Sequence, residues 1–155
     1  MTKRTFLVCL LSFLCLAAHA QTSIVGRGIK AIDGDTLTIL GPRNTRIRVS
    51  LAGIDAPERK QPFGSQSRKS LASLCVGQPV VVYDGQKNRY GHLFGNVYCA
   101  GIDAASEQLK RGLAWAQEPV SPLHEKQYLA QSGKIGLWAD SNPVSPWDFR
   151  NRKKK

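Results

Sequence analysis

From Thr45 to Leu51 apolar and polar residues alternate, with Ile47, Val49 and Leu51 on one side and Arg46, Arg48 and Ser50 on the other. A two-residue period predicts a half-buried strand, here with two arginines on its polar face. Upstream, Ser23 to Ile32 mixes β-branched residues with Gly26 and Gly28, which predicts a strand with a bulge or bend. Asp33-Gly34 is a hairpin-turn dipeptide, so Thr36 to Leu40 is expected to return antiparallel. Pro79 to Tyr83 and Leu93 to Cys99 read as a fourth and fifth strand, separated by a polar loop that begins at Asp84 and runs to Asn88.

The period lengthens from about Gln66, where Leu71, Leu74 and Cys75 share one face of a predicted helix and Gly77 stands just past its end. Asp103 is placed to cap a second helix through Arg111, closed by Gly112, and Ser121-Pro122 opens a third that reaches about Ser132. Five short strands with helices between the third and fourth and at the end predict an α+β fold, a small closed barrel of the OB type. A five-stranded SH3-like barrel meets the same strand count, and the helix placement favours the OB type.

The first twenty residues stand apart. Lys3 and Arg4 precede an apolar run from Phe6 to Ala18, and Ala18-His19-Ala20 offers small residues at cleavage positions, so residues 1–20 are expected to be a signal peptide. The run falls short of the roughly 20 residues that span a bilayer, so no stable membrane anchor is expected. The remainder suits one domain over 21–148, with a basic tail over 149–155 that ends in three lysines. The expected product is secreted or periplasmic.

Loss of Lys3 and Arg4, with no acid, takes the formal charge from +11 to +9. A domain this basic attracts polyanions, nucleic acid or an anionic membrane, although excess lysine and arginine also simply solubilise a surface. Cys75 and Cys99 remain after cleavage. An even pair in an oxidising compartment is expected to bridge, two buried thiols being the alternative.

Against that basic background, four carboxylates gather in two turn-rich segments, Asp33 and Asp35 in one, Asp55 and Glu58 in the other. Turn chemistry alone explains Asp33. Asp35 begins one strand and Asp55 ends its neighbour, so their oxygens converge at one mouth of the barrel as ligands for a hard divalent cation such as calcium. Pro57 restricts the backbone and holds Glu58 near Asp55, where a carboxylate beside a metal can take a proton from an attacking water. That is the minimum apparatus of phosphodiester hydrolysis.

The blocks Ile32 to Thr36, Leu51 to Glu58, Asn88-Arg89-Tyr90-Gly91-His92, Arg111 to Trp115, Gly136 to Trp138 and Pro146-Trp147 resemble the thermonuclease family, the staphylococcal nuclease homologues. The resemblance covers nearly the whole mature chain. It implies a five-stranded OB-fold barrel with three α-helices and a calcium-dependent nuclease acting on DNA and RNA; single-stranded nucleic acid is the expected preference and a monomer the expected state. It implies Asp35, Asp55 and the Ala56 carbonyl as calcium ligands, Glu58 as general base, and Arg89 and Tyr90 as phosphate contacts.

Both catalytic arginines of the family are replaced, one by Ser50 and the other by His92. Asn88 stands for the family's acid, and Ala105 for an asparagine near the next helix. Two residues are candidates to restore the charge. Arg48 lies two residues from Ser50 on the same strand face, roughly 6 to 7 Å away. His92 can bind phosphate as a cation at mildly acidic pH or donate a proton to the leaving oxygen. Losing one transition-state contact costs about 10²- to 10³-fold in rate.

Two other function classes compete with the enzyme. A catalytically decayed OB-fold module would bind nucleic acid without turnover. An envelope protein would bind acidic lipid through Arg150, Arg152 and the terminal lysines. Three carboxylates facing a polyanion favour the enzyme.

Overall fold

The computed structural model describes residues 23–87, 92–117 and 122–152; the expected signal peptide lies outside them. Strands β1 (Ser23–Ala31), β2 (Thr36–Leu40) and β3 (Arg46–Leu51) form an antiparallel meander, with Thr36 opposite Ser50. The short strand β4 (Ile54–Asp55) follows, then helix α1 (Gly64–Cys75). Strand β5 (Pro79–Lys87) pairs antiparallel with β1, and β6 (Leu93–Cys99) pairs with β5. Parallel pairing of β3 with β6 closes the five-stranded barrel of the OB type. After β6 come β7 (Ile102–Asp103), α2 (Ala104–Lys110), β8 (Trp115–Ala116), α3 (Pro122–Ser132) and α4 (Pro146–Arg152). Strands β4 and β8 pair as a separate ribbon, Asp55 opposite Trp115.

Closure follows from the alternation. Leu37, Ile39, Val49, Val80, Val82, Leu93 and Val97 fill the barrel, while Leu71 of α1 and Leu109 of α2 are fully buried in the same core. Each such side chain contributes roughly 1.5–3 kcal/mol on leaving water. The bulge expected near Gly26 and Gly28 appears as a register shift between Gly28 and Lys30. A side chain at Gly28 would come within 2.0 Å of the Cys75 carbonyl oxygen, so glycine lets the end of α1 settle on β1. There Cys75 and Cys99 form the expected disulfide.

Three expectations change. The predicted polar loop after Tyr83 is instead a continuation of β5 to Lys87 across a register shift between Tyr83 and Gln86. Among the described residues four α-helices are present rather than three. The fourth runs through Arg152, so the expected basic tail begins within a helix. Ser145 caps that helix, its hydroxyl accepting from the Asp148 N–H at 3.2 Å and donating to the Asp148 carboxylate. Pro146 at the first turn is fully buried, which seats the helix on the domain.

Candidate active site

Asp35 sits where the β1–β2 turn enters β2. Asp33 makes the turn, its carboxylate accepting the Asp35 N–H at 3.3 Å. Below it, fully buried Gln108 of α2 donates through Nε2 to the Gly34 carbonyl at 2.6 Å and to the Ser67 carbonyl at 3.1 Å, tying the turn to two helices. Asp35 Oδ2 accepts the Ala56 N–H at 2.7 Å, and Oδ1 accepts the Thr36 hydroxyl at 2.8 Å. The acidic turn is thus bonded directly to the segment carrying Asp55. Burial, and then the neighbouring charge of Asp33, push the Asp35 pKa up to about 7, against the lowering effect of the Ala56 N–H. This carboxylate is short of positive charge.

Asp35, Asp55, Ser50, Phe94, Gln117 and Arg150 line one open cleft of about 320 Å³. The two aspartates come together as expected. Glu58 stands beside them on a loop locked by four features. Pro57 is fully buried, and the Gln61 N–H donates back to the Glu58 carbonyl at 2.8 Å. A Cβ at Gly64 would lie 1.9 Å from that same carbonyl oxygen, so the loop closes only over a glycine. Gln61, itself buried, accepts the Glu58 N–H at 3.0 Å and donates to the Val144 carbonyl at 2.6 Å. The Glu58 loop is therefore stitched to the segment leading into α4.

Across from the acids, the Ser50 hydroxyl bonds the Thr36 hydroxyl at 2.8 Å and His92 Nε2 at 3.0 Å. Ser50 was expected on a solvated strand face, yet it is buried. Its strand end pairs with β2 and β6 together, opposite Thr36 and Phe94. The His92 ring stacks on Phe94 at 4.8 Å. Arg48, a candidate to restore the lost charge, is exposed and is not among the residues that line the cleft. Arg89 and Tyr90 lie outside the described residues.

The cation at the carboxylates comes from elsewhere. Arg150 of α4 places Nη2 2.7 Å from Asp55 Oδ2, and Nη1 3.1 Å from Asp55 Oδ1 and 2.9 Å from Glu58 Oε1. These bonds hold the guanidinium in its charged form, raising a pKa that is already high. Trp147 on the same helix packs edge-on against Trp115 at 5.7 Å, and Trp115 against Trp138 at 4.3 Å.

Residues 48–140 match the family model described as staphylococcal nuclease homologue. The chain belongs to that family. An uncharacterized endonuclease of Escherichia coli O157:H7 is 38% identical over 146 residues, covering 90% of each chain. A micrococcal nuclease of Shigella flexneri is 36% identical over 157 aligned residues, 91% of this chain and 88% of that protein. An uncharacterized 38.1 kDa protein of Capnoides sempervirens is 36% identical over 137 residues, and there the match spans only 40% of the longer relative. Membership makes the chain a nuclease-type enzyme.

Among the described residues no group of three or more His, Cys, Asp or Glu side chains is placed to hold a metal. Two hard carboxylates facing one cleft, completed by main-chain oxygen and water, are donors of the type calcium takes. The raised pKa of Asp35 fits a position meant to face a cation.

Sequence reasoning missed Arg150, Gln61 and Gln108. Ser145-Pro146-Trp147-Asp148 is a helix-start signature that marks α4. No local signal marks either glutamine, since each acts through partners more than forty residues away or across a loop.

Proposed function

We propose that the protein is an exported, calcium-dependent nuclease that hydrolyses phosphodiester bonds of DNA and RNA as a monomer. The observation that carries this reading is the shared cleft of Asp35 and Asp55, with Glu58 joined to Asp55 through one guanidinium nitrogen. Asp35 and Asp55, with the main chain at Ala56, would hold the calcium ion. The bound ion would polarise a phosphoryl oxygen and offset developing negative charge. Glu58 accepts a proton from the attacking water as the water oxygen bonds to phosphorus. The phosphorus–oxygen ester bond then breaks, and the leaving oxygen takes a proton, for which His92, hydrogen-bonded to Ser50, is the candidate donor.

Phe94, 41% exposed at the cleft wall, offers a ring on which an unpaired base can stack, which supports a preference for single strands. The Cys75–Cys99 bridge supports an oxidising compartment and hence export.

One observation favours the decayed binding module: the Ser50–His92 contact occupies the places of both family arginines. The two readings separate in a single assay. Mature protein is incubated with a labelled single-stranded oligonucleotide, with calcium or a chelator, beside Glu58→Gln. Cleavage that needs calcium and falls about 10²- to 10⁴-fold in the variant is expected. Salt-sensitive binding with no turnover would establish the module instead.

A further inference from the structure

The cleft keeps its acids and lacks the arginine at position 50, yet a guanidinium still reaches it, from a residue 95 positions beyond Asp55. Arginine carries five N–H donors in a rigid fork. Asp55 takes one from each terminal nitrogen and Glu58 takes the second from Nη1. The Nε–H and the remaining Nη2–H stay side by side on the other edge, a spacing that matches two oxygens of one phosphate. The side chain is 45% exposed and lines the cleft.

The placement is built. Ser145 caps α4, Trp147 packs on Trp115, and Gln61 joins the Glu58 loop to Val144, just ahead of the helix. A solvated tail needs none of these contacts. They fix the arginine relative to the base and a metal-binding aspartate before substrate arrives, as preorganised charge stabilisation requires.

We propose that Arg150 is a catalytic residue of this chain, a guanidinium delivered by the C-terminal helix that holds the phosphate being cleaved and takes the extra negative charge of the transition state. The inference rests on the nuclease reading for its chemistry, and its phosphate contact is separately measurable.

The test compares the full mature chain with Arg150→Ala and Arg150→Lys. Cleavage of a single-stranded DNA oligonucleotide is followed at saturating calcium, calcium binding by calorimetry, and folding by melting temperature. Oligonucleotide affinity against salt is measured in a Glu58→Gln background. The expected result is a kcat about 10²- to 10³-fold lower in Arg150→Ala. Lysine should recover it in part, as a point charge without the fork. The salt slope should fall by about 1, with calcium affinity not weakened and the fold retained. Arg150→Ala that binds calcium more tightly and cleaves as well as the parent would overturn the proposal, making the arginine a mere counter-ion in the calcium's place. If the parent cleaves nothing, the nuclease reading fails by itself. The salt slope then decides alone whether Arg150 holds phosphate, and an unchanged slope rejects it.

Discussion

The acidic wall of the cleft stands on the β1–β2 turn and the β4 ribbon at the barrel mouth, whereas its cationic wall hangs from the last helix. Asp35 is fixed by bonds within the barrel mouth, the Ala56 N–H being the clearest, and Asp55 by the pairing of β4 with β8. Arg150 is fixed by a cap, a contact between Trp147 and Trp115 of the β8 ribbon, and a glutamine bridge, none belonging to the barrel sheet. Rigid sheet tolerates little change in where a ligand points, so the acids stay put. A helix packed at the edge can bring a long side chain to the same space from another direction. The comparison teaches that a charge lost from a strand need not be lost from the site.

If Arg150 does the work of the missing arginine, restoring that arginine should matter most when Arg150 is gone. Ser50→Arg with His92→Arg in an Arg150→Ala background is expected to regain about 10²-fold in kcat, one recovered transition-state contact. In the parent the same pair should gain much less. Equal gains in both backgrounds would show that the two walls act independently, and the idea of substitution would fall. Melting temperature of each variant guards against a trivial cause, since Ser50 is buried and arginine there must reach solvent.

The same contrast decides what was legible. The barrel strands showed through alternation, and the paired aspartates through turn chemistry, because both depend on neighbours within a few residues. The family resemblance supplied roles for Asp35, Asp55 and Glu58 on the same local blocks. Arg150 was hidden twice over. The three lysines after it gave its segment the look of a solvated terminus, and its partners lie 92 and 95 residues away. Ser50 misled in the opposite sense, since alternation placed it on a wet face and only the β3–β6 closure buries it. Arg48 seemed the nearer replacement by strand spacing, but proximity along a strand says nothing about a helix that arrives from the far end of the chain.

The link between the walls is Gln61, and removing it sharpens the comparison. Gln61→Leu keeps the volume while deleting the bonds to the Glu58 N–H and the Val144 carbonyl. The expected loss in kcat is about 10-fold, on the scale of one hydrogen bond to a positioned group. Because Gln61 touches neither phosphate nor ion, calcium affinity and the salt slope of oligonucleotide binding should hold. A fall in calcium affinity equal to the fall in rate would mean that Gln61 serves the acidic wall alone.

The smallest effect belongs to the acidic wall without its cation. Burial and Asp33 raise the Asp35 pKa from 3.8 to about 7. In the unfolded chain the group has lost its proton above about pH 4, while the folded protein still holds it up to about 7. The folded state therefore binds more protons across that window, and stability must fall as pH rises through it, by less than about 1.4 kcal/mol per pH unit. Denaturant unfolding in chelator should show this decline, and Asp35→Asn should flatten it. Calcium at pH 7.5 should raise the melting temperature of the parent more than that of the variant, because an ion held only by the folded state stabilises it by mass action. Identical pH slopes in parent and variant would mean that Asp35 is already neutralised from the opposite wall, and that the division between the two walls is drawn in the wrong place.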